Sequence, residues 1–228
     1  MESLNDRGGI ALNPIGQIDS ILFDGIEKED IGAVLHCTGH HISSYEKGQT
    51  IVLEEEHVRH VGVVLSGTVD MVKEDIWGNK TMLVRMRRNE LFGETFAWGD
   101  DARSVVTFVA SENARILFIP FNNAMRTCSQ SCAFHQKLIE NMVRIIANKN
   151  RELMRKVEVV SKKTLREKIL AYLSIQAQNQ NSRYIQVPLG RVELAEFLCA
   201  DRSALTRELS NMKAEGLIDY DKNIFRIL

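Results

Sequence analysis

The side chains with the most distinctive chemistry lie in one segment near the carboxyl end of the chain, at residues 191–218. Two apolar patterns of helical spacing flank a short turn, Cys199-Ala200-Asp201, in which Asp201 is a residue type that caps a following helix. The outward face of the second helix carries guanidinium and hydroxyl donors, and these are Arg202, Ser203, Thr206 and Arg207. Such donors on the first turns of a helix contact base edges and phosphates, so the segment predicts a helix-turn-helix that binds double-stranded DNA.

The residues that follow favour the same interpretation. Two short apolar runs, 217–220 and 224–227, flank the polar turn Asp221-Lys222-Asn223, which predicts a β-hairpin wing beside the second helix. Residues 160–228 hold 11 Lys and Arg against 8 Asp and Glu, a net charge of +3, whereas the rest of the chain has a net charge of −4. A basic terminal domain on an acidic body favours a polyanion as its partner. The alternative is an ordinary helical hairpin whose arginines are merely solvated.

The elements before this segment change character at about residue 120. Residues 44–119 show apolar residues at a period of two, as in Val61, Val63 and Leu65, with turn signals between the runs. Many short strands at this spacing predict a small antiparallel barrel or roll. After Pro120 the pattern becomes helical and stays so, without Gly or Pro, from Phe134 to about Val160.

The long helical pattern has a repeat of its own. Ile139, Ile146, Leu153 and Val160 recur every seven residues. Met142, Val143 and Val157 widen the apolar stripe, and Lys149, Asn150 and Lys156 interrupt it. Seven-residue spacing keeps one seam of two helices in register, so Ile139, Met142, Ile146, Leu153 and Val160 are the predicted interface of a homodimer. The alternative is a single helix that packs on its own domain, and the pattern leaves both open.

Length and composition limit the class of protein. The chain has 228 residues, of which 44% are hydrophobic and 26% charged, which is typical of a globular protein with one large domain or two ordinary ones. It has no apolar run of the ~18–20 residues that span a bilayer, and its first residues lack the layout of a signal peptide. Four cysteines without a C-x-x-C pattern are consistent with a reducing compartment. We therefore expect a cytoplasmic protein without a membrane partner.

The order of roll, long helix and winged helix-turn-helix resembles the Crp/Fnr family of bacterial transcription regulators over about residues 21–228. The stretch from Asp201 to Leu209 is particularly similar to the recognition helices of that family. The resemblance implies that Arg202, Ser203 and Arg207 read bases while Asp201 and Thr206 lie near the DNA backbone. It also implies a homodimer on a two-fold DNA site, with half-sites ~34 Å apart, and RNA polymerase as a second partner. Cys199 is a departure, because the family usually has glycine in this turn.

The resemblance also implies the architecture and the domain limits. The expected fold class is α+β, with an amino-terminal antiparallel β-roll of the jelly-roll kind, a long dimerisation helix and a carboxyl-terminal winged helix-turn-helix. The corresponding domains are an effector domain at 1–132, the dimerisation helix at 133–160 and the DNA-binding domain at 161–228.

The same resemblance suggests what the roll binds. In the catabolite activator branch, a Gly-Glu pair and a later Arg-Ser or Arg-Thr pair hold cyclic AMP, and this chain has Gly93-Glu94 and Arg103-Ser104. Backbone N–H groups and an arginine would bind the phosphate, and the carboxylate would accept from a ribose hydroxyl. The loop between the pairs is one residue shorter than in that branch, Phe96 stands where a small residue is usual, and Leu153 and Met154 stand where hydroxyls are expected. Cyclic AMP, another small effector and no ligand at all therefore remain open, the last with Glu94 and Arg103 as a structural ion pair.

Other functions have weaker support in the sequence. Cys128 and Cys132 lie one helical turn apart and would suit a redox- or metal-sensing regulator, although no metal site is predicted from their spacing. A second alternative is a cyclic-nucleotide-binding module that acts on a protein partner instead of DNA. The chain has no G-x-S-x-G or H-E-x-x-H pattern, so no catalytic residue is assigned and an enzyme is not expected.

Overall fold

Eight short strands form the body of the amino-terminal part in the computed structural model, which describes residues 18–98, 101–126 and 133–228. They are β1 (His41–Tyr45), β2 (Thr50–Val52), β3 (His60–Ser66), β4 (Val69–Glu74), β5 (Lys80–Met86), β6 (Leu91–Phe92), β7 (Thr107–Ala110) and β8 (Ala114–Pro120). Two four-stranded antiparallel sheets result, with the strand orders β1-β8-β3-β6 and β2-β7-β4-β5.

The alternation along β8 explains how the first sheet is buried on both faces. Ile116 and Phe118 face the second sheet and pack with Phe108 and Phe92 in the interior of the roll. The residues between and after them, Leu117 and Ile119, belong to a separate core that includes the helices. The period of two in the sequence therefore corresponds to two cores, one on each face of the same sheet.

Helices and one short segment cover the outer face of that first sheet. A 3-10 turn (Ile21–Phe23), α1 (Lys28–Thr38) and α2 (Phe121–Ala124) contribute to the outer core. Helix α1 ends at Gly39, whose φ of +74° is a conformation that favours glycine.

The carboxyl-terminal elements follow in the predicted order. They are α3 (Ala133–Val160), α4 (Leu165–Gln180), β9 (Tyr184–Gln186), α5 (Arg191–Phe197), α6 (Arg202–Ala214), β10 (Ile218–Asp221) and β11 (Ile224–Ile227). The last three strands form a small antiparallel sheet in the order β10-β11-β9. A capping box opens α4, because the Thr164 hydroxyl accepts from the Glu167 amide while the Glu167 carboxylate accepts from the Thr164 amide.

The architecture confirms the α+β fold class, with an antiparallel roll, a long helix and a carboxyl-terminal helix-turn-helix with a wing. Packing divides the chain into two compact units, Met1–Ala147 and Asn148–Leu228, so the division falls inside α3. The predicted domain limits at 132/133 and 160/161 stay a prediction. None of the helices in the described ranges combines the length and apolar content needed to cross a membrane.

Candidate DNA interface and effector site

The turn between α5 and α6 sets the two helices of the predicted helix-turn-helix against each other. Leu194 and Ala195 of α5 are buried with Leu205 and Leu209 of α6 in the core of the carboxyl-terminal unit. Cys199 in the turn has a φ of +50°, the left-handed region that glycine adopts with least strain. The helix-turn-helix is therefore formed in spite of the missing glycine.

Asp201 caps α6 and fixes its first turn. Its Oδ1 accepts hydrogen bonds from the amides of Ser203 and Ala204 at 2.7 and 3.1 Å and from the Ser203 hydroxyl at 2.5 Å. The hydroxyl bond first, and then the two amide bonds, lower the pKa of the Asp201 carboxyl. Asp201 and Ser203 thus form a local unit in which the Ser203 oxygen still offers acceptor lone pairs to a ligand.

The remaining predicted contact residues share the solvent face of α6. Arg202, Thr206 and Arg207 are exposed, while Leu205 and Met212 on the opposite side are buried. Within the described residues, no carboxylate lies within ion-pair distance of either arginine. The Thr206 hydroxyl donates to the Arg202 carbonyl at 2.9 Å, so its proton is used within the helix and its oxygen keeps lone pairs that can accept from a ligand. The structure therefore brings all five predicted DNA-binding residues, Asp201, Arg202, Ser203, Thr206 and Arg207, onto the first two turns of one helix.

An arginine that sequence reasoning missed holds α6 in place. Arg166 of α4 donates through Nε to Glu208 at 2.6 Å and through both terminal nitrogens to Glu215 at 2.7 and 2.8 Å. These carboxylates raise the pKa of Arg166 well above its ordinary value. The partners lie 42 and 49 residues away in the chain, so no local pattern could have revealed the contact.

The predicted dimer residues do not all lie on one face of α3. Met142 is fully buried in the outer core of its own domain, beside Leu138 and Ile145. A stripe of exposed or half-exposed apolar side chains runs on another face at spacings of four and three, interrupted once by Asn150 between Ile146 and Leu153. We call it the α3 stripe, and its members are Ile139, Val143, Ile146, Leu153, Val157 and Val160. Four of the five predicted dimer residues belong to this stripe, and Val143 takes the place expected for Met142.

The Gly93-Glu94 pair forms a tight turn at the end of β6. Gly93 has a φ of +84°, and a β-carbon there would lie 3.2 Å from the carbonyl oxygen of His60. The Gly93 carbonyl accepts from the amides of Phe96 and Ala97, which closes one helical turn. Glu94 in this turn is only 3% exposed, an unusual place for a carboxylate.

Arg103 lies in an extended segment that pairs with residues 55–58. Its side chain is about half exposed, and its ion-pair partners in the described ranges are Asp101 at 3.4 Å and Glu55 at 4.0 Å, not Glu94. The structural pair of Glu94 with Arg103 is therefore absent from this part of the chain. An anion at Arg103 would compete with two carboxylates of the same domain.

Ser104 uses its hydroxyl inside its own turn. The side chain is fully buried, and Oγ donates to the carbonyl of Val106 at 2.6 Å and accepts from the Val106 amide at 3.4 Å. Phe96, the bulky residue singled out in the sequence, packs edge-on to Phe108 with ring centroids 6.1 Å apart. Of the four predicted effector residues, Gly93, Glu94 and Arg103 thus remain candidates for ligand contact through their own groups.

The cysteine pair considered for metal or redox sensing stays a prediction. Cys128 and Cys132 lie outside the described residues. Among residues 18–98, 101–126 and 133–228, no three His, Cys, Asp or Glu side chains are placed to hold a metal ion.

Two sequence-family models match the chain over separate ranges. The model of the cyclic nucleotide-binding domain matches residues 42–131, and that of the Crp-like helix-turn-helix domain matches residues 167–228. The chain belongs to the Crp/Fnr family of transcription regulators. It is a DNA-binding regulator with an effector-binding domain, as the resemblance implied.

Solved structures of similar architecture agree with this Crp/Fnr fold. The catabolite activator protein of Thermus thermophilus is 20% identical, with a TM-score of 0.50, covering 92% of this chain and 94% of its own. The c-di-GMP-responsive global regulator CLP of Xanthomonas campestris is 14% identical, with a TM-score of 0.57 and coverages of 88% and 99%. A mutant of CooA from Carboxydothermus hydrogenoformans is 17% identical, with a TM-score of 0.56 and coverages of 86% and 85%. At these identities the likeness concerns the fold, and no curated protein sequence matches the chain.

Proposed function

We propose that this regulator binds a two-fold DNA site as a homodimer, that α6 reads the bases, and that a cyclic nucleotide at the β-roll controls binding. The observation that carries the DNA proposal is the capped helix α6, whose first two turns expose Arg202, Ser203, Thr206 and Arg207. The buried side chains of this helix are all apolar. A guanidinium binds the O6 and N7 acceptors of guanine in a bidentate manner, which suits Arg202 and Arg207. RNA polymerase is the second partner that we propose, on the family resemblance alone.

Removal of either arginine tests the base-reading residues. We expect Arg202→Ala and Arg207→Ala each to cost about 1–3 kcal/mol of binding free energy on a duplex selected by the wild-type protein from a randomised library, and to relax the preference at one base position. Fluorescence anisotropy at fixed salt measures the affinity, since the salt concentration changes it strongly.

The matched control is Arg183→Ala, which removes the same charge from an exposed position of the same unit outside α6. If both α6 variants bind the duplex with wild-type affinity, other residues read the bases. An equal loss in the control would mean that only net charge matters.

The effector proposal is supported by the match of residues 42–131 to the cyclic nucleotide-binding domain. Glu94 is a buried carboxylate that can accept from a ribose hydroxyl, and Arg103 is a half-exposed cation of the same domain that can bind a phosphate. Because Arg103 is paired with Asp101 and Glu55, we propose that it leaves these carboxylates when the nucleotide binds. The α3 stripe is the proposed dimer interface.

Calorimetric titration with cyclic AMP and cyclic GMP tests the effector proposal. We expect saturable binding of at least one nucleotide by the wild-type protein, and a loss of about 10-fold or more in affinity for Arg103→Ala, since a charge-assisted phosphate contact is removed. Arg85→Ala is the control, because Arg85 is a half-exposed roll arginine that pairs with Asp70 instead. If neither nucleotide binds, or if the control loses as much, the roll senses something else.

A further inference from the structure

The first turn of α4 makes polar contacts with both helices of the helix-turn-helix. The ammonium of Lys168 donates to the carbonyl oxygen of Leu198 at 3.2 Å, at the end of α5 and directly before the turn. The Tyr172 and Phe197 rings add an edge-on contact between α4 and α5, with centroids 5.1 Å apart. Arg166, on the same turn of α4 as Lys168, makes the polar contact with α6. Helix α4 is therefore the support for both α5 and α6.

Arg166 holds α6 at two points. Its Nε donates to Glu208 at 2.6 Å, and its two terminal nitrogens donate to Glu215 at 2.7 and 2.8 Å. Glu208 and Glu215 are seven residues apart, so they lie on one face of α6, about two turns or roughly 10 Å apart along its axis. A rigid, planar group that bonds to two such points limits both the rotation of the helix about its axis and its movement along that axis.

This contact differs from an ordinary pair of solvated charges. The side chains of Arg166 and Glu208 are only 36% and 22% exposed, and the guanidinium lowers the pKa of the Glu215 carboxyl through its hydrogen bonds. Several bonds from one arginine to two carboxylates form a network, the arrangement in which a surface pair contributes measurably. Apolar packing through Leu205 and Leu209 brings α6 against the core, but it is non-directional. The directional restraint on α6 therefore comes from Arg166.

The proposed base-reading residues lie on another part of the same helix. Arg202, Ser203 and Thr206 are exposed on the first two turns, whereas Glu208 is half-buried. A precise polar contact tolerates a displacement of only about 0.5 Å or 10–20°. A rotation of α6 would therefore weaken several base contacts at once. Attraction to phosphates depends mainly on charge, so it would change little.

We infer that Arg166 is a positioning residue for base recognition, which sets the rotation of α6 relative to α4 through Glu208 and Glu215 and thereby the sequence preference. The inference rests on the proposed binding of DNA through α6. Arg166 acts through the two carboxylates and does not itself touch the DNA. Loss of its bonds changes how well sequences are distinguished, not how strongly phosphates attract the protein.

Binding of the full-length protein to three kinds of duplex tests this role. They are the duplex selected by the wild-type protein, its single-base variants and a scrambled sequence. We expect Arg166→Lys and Arg166→Ala to lower the ratio of specific to non-specific affinity about 10-fold, with smaller penalties for mismatches at several positions. Arg202→Ala should instead relax one position. Because Arg166→Lys keeps the charge, its salt slope and its affinity for the scrambled duplex should stay within about 2-fold of wild type.

The two carboxylates provide a second, independent variant. Glu208→Ala with Glu215→Ala removes both partners of Arg166 and two negative charges, so that electrostatics alone would strengthen binding to every duplex. We expect instead the same loss of base preference as in Arg166→Ala, and no further loss in the triple variant, because the same interaction is removed. Arg183→Ala is the matched control, since it removes an exposed arginine of the same unit outside this network and should keep the base preference.

The opposite results would overturn the inference. Wild-type base preference in Arg166→Lys or in the double carboxylate variant would mean that α6 is oriented without this contact. Equal losses on all duplexes, with a salt slope lower by about one, would mean that Arg166 binds a phosphate itself. An equal loss of preference in Arg183→Ala would mean that only net charge matters. Failure of the DNA proposal is distinct, because Arg202→Ala and Arg207→Ala would then bind like wild type.

Hydrogen exchange of the free protein separates positioning from a loss of fold. In both Arg166 variants we expect the amides of α4 and α6 to exchange as slowly as in the wild-type protein, because the apolar core of the unit is unchanged. Base preference should nevertheless be reduced in the same samples. If the whole of α6 exchanges faster in both variants, the lost preference reflects unfolding of the helix, and the positioning role is contradicted.

Discussion

Cys199 is a single residue whose backbone conformation conflicts with its side chain. A left-handed φ brings a β-carbon close to the following carbonyl, which costs roughly 1–2 kcal/mol, and glycine avoids this contact. The turn between α5 and α6 nevertheless has this conformation at Cys199, with φ of +50°. Packing of the two helices through Leu194, Leu205 and Leu209 must therefore stabilise the turn against this local cost.

Replacement by glycine should stabilise the DNA-binding unit. We expect Cys199→Gly to raise the free energy of unfolding by about 0.5–1 kcal/mol, because the relief of strain exceeds the added freedom of the unfolded chain. Thermal and urea unfolding measure it. Cys199→Ala is the control that removes the thiol and keeps the β-carbon, and it should leave the stability almost unchanged. Equal stability of the glycine and alanine variants would contradict the role of φ.

At this scale the sequence predicted some roles and missed others for identifiable reasons. The tight backbone at Cys199 could be predicted, because the family usually has glycine there. The commitment of the Ser104 hydroxyl to Val106 could not, since a serine in the expected position says nothing about where its Oγ points. Gly93 differs from Ser104, because its residue type already indicates the positive φ that the structure shows.

At the scale of elements, α3 has one face buried in its own domain and another face that exposes apolar side chains. Leu138, Met142 and Ile145 bury one face in the outer core of their own domain. The α3 stripe leaves Val143, Leu153 and Val157 between 55% and 60% exposed, which is costly for large apolar side chains in water. A second copy of the helix would cover the stripe in register, because its spacing alternates between four and three except at Asn150.

A charge in the stripe should separate the dimer. We expect Leu153→Glu to raise the dissociation constant of the dimer about 10-fold or more, since a carboxylate would be buried without a partner. Sedimentation velocity over a range of concentrations measures it. Asn148→Glu adds the same charge on another face of α3 and should leave the dimer intact. A dimer unaffected by Leu153→Glu would exclude the stripe as its interface.

The seven-residue repeat predicted the exposed apolar face of α3 better than it predicted each residue on that face. Ile139, Ile146, Leu153 and Val160 lie on the stripe, whereas Met142 lies in the core of its own domain. An apolar residue next to the stripe can point into the core of its own domain or toward the exposed face of the helix. The sequence alone does not reveal how closely the roll packs on the helix. Arg166 shows the same limit, because its carboxylate partners come from a distant helix.

At the scale of the whole molecule, the effector-binding and DNA-binding functions lie in ranges that two different family models match, 42–131 and 167–228. Control of one by the other requires a ligand with different affinities for two arrangements of the protein. The sequence predicted this organisation because the period-two pattern and the helical segments occupy different parts of the chain. In the structure, each of these parts has its own core.

Coupling between the two functions should be reciprocal. We expect saturating cyclic AMP to change the affinity for the selected duplex about 5- to 150-fold, and saturating duplex to change the affinity for cyclic AMP by the same factor. Anisotropy measures the first and calorimetry the second. Arg103→Ala should abolish both changes while leaving the affinity for DNA without nucleotide intact. Unequal factors, or nucleotide binding that leaves the affinity for DNA unchanged, would contradict control through the roll.

The cap of the recognition helix has a consequence for how the regulator finds its sites in a genome. Asp201 occupies the amides of Ser203 and Ala204, donors that would otherwise bind a phosphate at any sequence. Its negative charge also opposes the sequence-independent attraction that retains a protein on random DNA. Occupancy of an operator depends on the ratio of specific to non-specific affinity across a very large number of competing sites. Where α6 binds DNA as we propose, a carboxylate at this position weakens attraction to phosphates, so that fewer copies of the regulator are held on random DNA.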